Sequence, residues 1–454
     1  MYLKNLLNTT GRSPEIMTDQ IKVKSIHCSG MKFAQKGSRF IIAAFLLLSV
    51  LVITGCDSSG SVGEGLGPDD SDIKKSIVEP SAFEGVTANT FSGRLQLSAM
   101  GYFEDPLYGN LNAVTLLKPS ISRAQIDTLR PDDTMTLVLS FSSDIYGDEL
   151  AASDYEIFEA GQIWRGNELR YNSEISVDFL SKVGEFQITD EDSVEVELSQ
   201  VWVDKLRAFY DEPAEVRDSL YVNNFPGLAI VPTTGNENIR FIRHSREDED
   251  SPLETRFLVY PAEDDNDNGD NDNGDDDNGD DEEDPVGIRL DLRDWGSSVI
   301  RTDEPASTDG LVVHNIDRVL KIDFDLPIEQ LRNRNITNAS LVLTLRKDVE
   351  ELFPEINRPA PQSIRGHSFT VIPSDLPSEL FTTPSRFGSS IDEDENTFSI
   401  NLTQYVLNEV FGERGEGSIY ISLQSVNGIF YSAQFYDDNA IESRRPRIVI
   451  TSFE

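Results

Sequence analysis

Residues 263–284 set the first limit on what this chain can fold into. They read E-D-D-N-D-N-G-D-N-D-N-G-D-D-D-N-G-D-D-E-E-D, with 14 acidic side chains, no basic one and nothing apolar. Such a run has nothing to bury and its charges repel, so it is expected to be disordered, extended and outside any core. Its 22 residues span at most about 70–80 Å. Hydrophobic patterning resumes on both sides. The run therefore predicts a linker between two folded regions, one over 77–262 and one over 285–454.

The full chain of 454 residues carries 39 Lys plus Arg against 80 Asp plus Glu, a formal net charge of -41. Without a concentrated basic patch, such a surface excludes nucleic acid as a partner. A hydrophobic fraction of 38% still provides for ordinary cores.

The one net-basic stretch is at the start. Lys32, Lys36 and Arg39 precede an apolar run from Ile41 to Ile53, closed by Thr54-Gly55-Cys56. A basic head, a short apolar run and small residues before a cut describe a secretory signal over 1–55. The run is shorter than the roughly 20 residues of a membrane span. Ile53-Thr54-Gly55-Cys56 resembles the bacterial lipobox, which implies cleavage between Gly55 and Cys56 and acylation of Cys56. Two or more acyl chains hold a protein stably in a bilayer. Residues 1–30 fit no part of such a signal, and Met31 is the expected true start. Cys28 would then be absent, leaving Cys56 as the single cysteine and no intrachain disulfide. Residues 56–76 read as lipid anchor and Gly-rich flexible tether.

Both folded regions show period-two alternation. In the first, Met135–Phe141, Tyr155–Phe158 and Ser193–Leu198 read as strands, Val201–Tyr210 as a helix, and Phe225-Pro226-Gly227 as a turn feeding a strand at Leu228. In the second, strands are expected around Leu320–Phe324, Leu341–Leu345, Phe398–Leu402, Ile419–Leu423 and Arg447–Ile450, with one short helix over Leu402–Val410. The fold class expected is mainly β, with an antiparallel β-sandwich in the second region.

Three segments of the second region carry a resemblance to DNRLRE-type sandwiches, a carbohydrate-binding-module-like fold. They are Arg318–Asp325 followed by Ile336–Leu343, then Phe398–Val406, then Ser432 and Phe435 followed by Glu442–Ile450. The family's usual Trp after the short helix is replaced by Phe411. The first region is similar to uncharacterised lipoproteins of Bacteroidota-type bacteria through Gly101–Gly109, the 135–141 strand, Tyr146-Gly147-Asp148 and Tyr171-Asn172-Ser173. That resemblance implies an address rather than an activity.

Candidate sites are few. Asp105-Pro106 and Gly109 read as a tight turn between strands. Asp264, Asn266, Asn268 and Asp275 match the first half and the twelfth position of a calcium loop, although any D/N/G repeat produces such a match and the plainer reading is a solvated spacer. Trp164, Trp202 and Trp295 are core candidates. Trp295 is also the best candidate for a glycan contact. His244, His314 and His367 are scattered, and HExxH, G-x-S-x-G and P-loop patterns are absent from the sequence. No catalytic residue, and no cofactor other than that calcium candidate, is expected.

The expected protein is a non-enzymatic outer-membrane lipoprotein, exposed at the cell surface, with a binding or structural role at the envelope. Its partners would be the membrane through the lipid anchor, and polysaccharide or other envelope proteins. A glycan-binding lipoprotein using the second region is the alternative, and a polysaccharide-processing enzyme or accessory is a third.

Overall fold

The strands that flank the acidic run lie side by side in one sheet. A computed structural model describes residues 73–87, 89–121, 128–244, 254–262, 287–305, 310–361, 363–369, 386–412, 415, 417–423 and 427–453. The strands before and after the run, Arg256–Tyr260 and Ile288–Leu290, pair antiparallel, with Phe257 opposite Leu290 and Val259 opposite Ile288. The run itself lies outside the described residues. Its two flanking strands are neighbours in one sheet; the expected linker itself falls on residues that are not described. Apolar alternation reveals that a segment is a strand, whereas its partner is chosen by contacts remote in sequence.

The first half contains β1 (Ile73–Val78), β2 (Pro80–Thr87), β3 (Leu97–Asp105), β4 (Gly109–Pro119), β5 (Thr134–Gly147), β6 (Ser153–Ala160), β7 (Val177–Ile188) and β8 (Ser193–Glu197). Helices α1 (Gln200–Tyr210) and α2 (Ala214–Asn224) follow, then β9 (Leu228–Pro232), β10 (Asn238–Arg243) and β11 (Arg256–Tyr260). The second half opens with β12 (Ile288–Leu290), β13 (Leu292–Thr302), β14 (Leu311–His314) and β15 (Arg318–Phe324). Next come α3 (Ile328–Leu331), β16 (Asn335–Thr344), α4 (Lys347–Glu350), β17 (Ile364–Ser368), β18 (Ser389–Asp392) and β19 (Thr397–Asn401). Helix α5 (Thr403–Phe411), β20 (Ile419–Leu423), β21 (Ser432–Phe435) and β22 (Arg447–Phe453) complete it.

The fold is mainly β, in three antiparallel sheets. The largest has 11 strands in the order β12-β11-β5-β10-β3-β4-β9-β6-β7, with β13 added on β4 and β8 on β5. It curls over a core containing Leu137, Leu139, Ile157, Trp202, Phe225 and Phe257. The α1 helix covers that core with Trp202, Val203, Leu206 and Tyr210, spaced as one face of a helix. Two smaller sheets, β1-β22-β16-β19-β18 and β17-β20-β15-β14-β21 with β2 on β15, share a second core. Leu341, Leu343, Phe398, Ile400, Ile448 and Ile450 enter it from the first of these, and Leu320, Ile322, Ile419 and Ile421 from the second.

The halves exchange strands. Strands β1 and β2, which the sequence places in the tether and the first region, pair with β22 and β15 of the second. Strand β13, which it places in the second region, runs along β4 from Asn110–Thr302 to Pro119–Leu292. A third apolar cluster joins Leu97, Phe103, Tyr146, Tyr171 and Phe241 to Val299, Ile316, Ile429 and Phe430. The Phe430 ring meets Tyr171 and Phe241 edge-on at 5.7 and 5.3 Å. Residues 68–454 accordingly form one compact unit, so boundaries at 77 and 285 do not separate independent bodies.

A test follows from the β11–β12 register. Replacing residues 263–284 with Asn-Gly should leave the fold intact and stabilise it by about 1 kcal/mol through a shorter loop closure. Denaturant unfolding checks this. A chain that no longer folds would show that the run separates the halves after all.

Candidate functional site

The hairpin between β3 and β4 ends on the seam. Pro106 fixes its φ and Gly109 adopts φ +85°, where a Cβ would strike the backbone of Thr302 and Glu304. Asp105 closes the turn. Its Oδ1 accepts from the backbone N–H of Leu107 at 2.8 Å and of Tyr108 at 3.2 Å. The same carboxylate accepts the Tyr146 hydroxyl at 2.7 Å on Oδ2. Arg358, 253 residues away, grips both oxygens, Nε to Oδ2 at 2.8 Å and Nη2 to Oδ1 at 3.0 Å. The turn expected from sequence is present, and it is also the place where the two halves are bolted together. The side chains of Arg358 and Asp105 are 7% and 0% exposed.

Tyr108 extends the network. Its hydroxyl donates to Glu350 Oε1 at 2.9 Å, and its backbone carbonyl accepts from Arg301 at 2.6 Å. Its ring stands edge-on to the His314 ring at 5.5 Å. Burial, then the Glu350 charge, raises the Tyr108 hydroxyl well above its ordinary value, so it stays a donor. Burial also raises Glu350. His314 is held through Nδ1 by Ser432 Oγ at 2.9 Å, and its Nε2 lies 3.5 Å from Glu304. Burial, then Arg301 and Arg318, pushes His314 well below its usual range, so the ring is neutral near pH 7. Arg301 pairs with Asp317 at 2.8 Å, and Arg318 pairs with Glu304.

Above this network lies an open groove of about 730 Å³. One wall is the β5–β6 turn with Asp148, Glu149 and Leu150, and the other is residues 347–358. The walls are tied at Asn357, which exchanges backbone hydrogen bonds of 2.9 Å with Gly147 and donates from Nδ2 to the Ile145 carbonyl at 2.7 Å. Asp148, Glu149, Glu350, Glu351 and Glu355 line it against Lys347 and Arg358. Because Asp105 engages Arg358, the groove presents a negative potential with apolar spots at Leu150, Phe353 and Ile356. It suits a cationic group better than an anionic one.

The tryptophans and the calcium-loop and lipidation candidates singled out from sequence are not in this network. Trp295 is on β13 opposite Leu117, and it is half-buried against the first core. Its Nε1 donates to the Leu95 carbonyl at 2.6 Å and its ring lies 5.4 Å from that of His244. Trp164 and Trp202 are buried. Gly55, Cys56, Asp264, Asn266, Asn268 and Asp275 lie outside the described residues. Among the described residues, no group of three or more His, Cys, Asp or Glu side chains is placed to hold a metal ion. Sequence reasoning missed Arg358, Glu350 and Arg301, and set His314 aside as one of three scattered histidines. Their only signal was the odd concentration of Asp, Pro, Tyr and Gly at 105–109, which demanded a partner without naming one.

Comparison with known proteins adds no family. No protein-family model matches the chain, and no curated protein matches it. Among solved structures, a chain from that of manganese lipoxygenase of Gaeumannomyces graminis with part of zonadhesin of Komagataella pastoris aligns at 9% identity. The alignment covers 74% of this chain and 83% of that one with a TM-score of 0.10.

Proposed function

We propose that the protein is a non-enzymatic lipoprotein of the outer membrane, displayed outward, with a binding or structural role at the envelope. Cys56 is the anchor and residues 57–72 are the tether. The observation that carries the reading is the strand exchange. The first described strands after the tether, β1 and β2, belong by pairing to the second half. Tension on the anchor would thus be taken by backbone ladders rather than by a loose terminus. The sequence alone suggested a sandwich joined to the first region only through the acidic linker. With β1 and β2 paired into that sandwich, the chain that follows the tether enters the second half first.

The seam groove is the binding surface that this reading favours, for a partner bearing cationic groups. The seam polar groups support a structural role, since both Asp105 oxygens accept from Arg358, from Tyr146 or from backbone N–H groups, and the Tyr108 hydroxyl donates to Glu350. Among the described residues no helix is long and apolar enough to cross a membrane.

Protease shaving of intact cells tests the address. Added protease should remove the protein from cells carrying the wild-type chain, and Cys56→Ser should abolish metabolic labelling by palmitate. Full protection in cells whose outer membrane is intact would reject surface display.

A further inference from the structure

Among the described residues, two consecutive large apolar side chains face water at one place. Phe179 is 65% exposed and Leu180 97%. Lone exposed apolar residues are ordinary, whereas an adjacent pair held outward calls for a cause. The ladder between β6 and β7 supplies it. Glu159 registers with Asp178 but Phe158 with Lys182, so Phe179, Leu180 and Ser181 bulge out of β7, the last strand in the order of the large sheet. Asp178 ties the bulge. Its carboxylate accepts the Leu180 N–H at 3.1 Å and the Ser181 hydroxyl at 2.7 Å. The Phe179 ring leans edge-on against the buried Phe158 ring at 5.2 Å. The pair is therefore presented in a set conformation.

The surroundings decide what covers it. Lys182 donates to Glu156 at 2.7 Å and to Glu185 at 2.6 Å, and Lys205 pairs with Glu159. Both cations beside the bulge are thus engaged by carboxylates, in a chain of net charge -41. Anionic headgroups find no free cation in these two, whereas an apolar medium finds Phe179, Leu180 and Val201. Val201 is exposed on α1 four residues before Lys205, and so on the same helix face. On the anchor reading above, the 16 residues between Cys56 and Ile73 reach at most about 60 Å. The bilayer is then the apolar medium that is always within reach of the body.

We propose that the bulge at Phe179 and Leu180 dips into the bilayer that holds the anchor, at the boundary of headgroups and acyl chains. The occupant is neutral lipid, since the lysines that would meet anionic headgroups are already paired. The proposal rests on the lipid-anchor reading and adds a second contact to it. Two side chains alone hold a protein to a bilayer no better than one short acyl chain does. Joined to the anchor, their contact is intramolecular and its effective concentration is high. The bulge then fixes which face of the body lies on the membrane, which an anchor at the end of a tether leaves open.

The test uses the full chain carrying Cys28→Ser, purified from its own envelope with its lipid and reconstituted into phosphatidylcholine vesicles. Leu180→Cys carries a polarity-sensitive fluorophore. The matched control is the same label at Leu150→Cys, 93% exposed in the seam groove. Nitroxide placed high on the lipid acyl chains should quench the 180 label several-fold more than the 150 label. Molar salt should leave that ratio unchanged, and Phe179→Asp should bring it close to one. Protein that floats with the vesicles while both labels are quenched alike overturns the proposal and leaves the anchor reading standing. A ratio that collapses in salt overturns it too, because charge would then hold the face. Shielding of the 180 label in whole envelopes but not in vesicles assigns the bulge to a protein partner and likewise overturns it. If the Cys28→Ser chain without a second substitution takes up label, or does not float with the vesicles, the anchor reading fails and this proposal with it.

Discussion

Replacing Arg358 with alanine should lower the free energy of unfolding by about 3–5 kcal/mol, the usual loss when one partner of a buried ion pair is removed. The expectation is large because Asp105 is buried and cannot turn to water. Its remaining donors, Tyr146 and two backbone N–H groups, are neutral. Arg358→Lys should recover only part of the loss, since an ammonium cannot grip both oxygens as the guanidinium does. Asp105→Asn should approach the alanine variant, because it strands a buried guanidinium. The double variant Asp105→Asn with Arg358→Met should be less destabilised than the two losses added together. Denaturant unfolding of the four variants measures this. A loss below about 1 kcal/mol for Arg358→Ala would mean the seam is hydrated in solution and the pair contributes as a surface pair does. Because β1, β2 and β13 also cross between the halves, wild type and Arg358→Ala should each unfold in one transition.

Acidification should destabilise the protein steeply below about pH 6.5, through its buried histidines. Burial lowers His244 to about 3, and burial with Arg365 lowers His367 to about 4. His314 lies well below its ordinary value for the same first reason. In the unfolded chain each ring binds a proton near pH 6.5. Between that pH and the folded value the unfolded state holds the extra proton, so stability falls as pH falls. The slope is about 1.4 kcal/mol per pH unit for each histidine, hence about 2 kcal/mol each at pH 5. His244→Gln and His314→Asn keep the bonded nitrogen positions toward Ser98 and Ser432 while removing the titration. Each variant should flatten the pH profile by its share, whatever it does to stability at pH 7. Parallel profiles for wild type and variants between pH 7 and 5 would contradict neutral buried rings.

Much of the secondary structure was legible because it depends on local spacing. Met135–Phe141 alternates and lies in β5, Leu341–Leu345 alternates and lies largely in β16, and the apolar spacing of Val201–Tyr210 matches α1. Phe225-Pro226-Gly227 connects α2 to β9, with Gly227 at φ +76°. The α2 helix was missed because only Tyr221 among its residues is buried, so no apolar stripe marks it. Strands β1 and β2 were missed for a related reason, as their side chains mostly face water while their backbones pair.

The candidate site was legible only in part. Asp105, Pro106 and Gly109 announced a turn, and the turn is there. Nothing local distinguished Arg358 from the other arginines, or Glu350 from the many other carboxylates. Trp295 attracted attention as an aromatic near the start of a region, yet β13 places it against the first core with its indole N–H bonded to Leu95.

By itself, the sequence determined which segments alternate, where turns must bend, that 263–284 has nothing to bury, and that Cys56 closely follows an apolar run. Each of these follows from the chemistry of a few adjacent residues. Only the tertiary structure decided that β11 pairs with β12 across the acidic run, that β1, β2 and β13 cross between halves, and that Asp105 meets Arg358. Backbone ladders carry little side-chain information, and a strand will pair with any edge of matching pattern. The choice among edges is made when all the apolar faces are buried at once. That is a property of the whole chain and of no window within it.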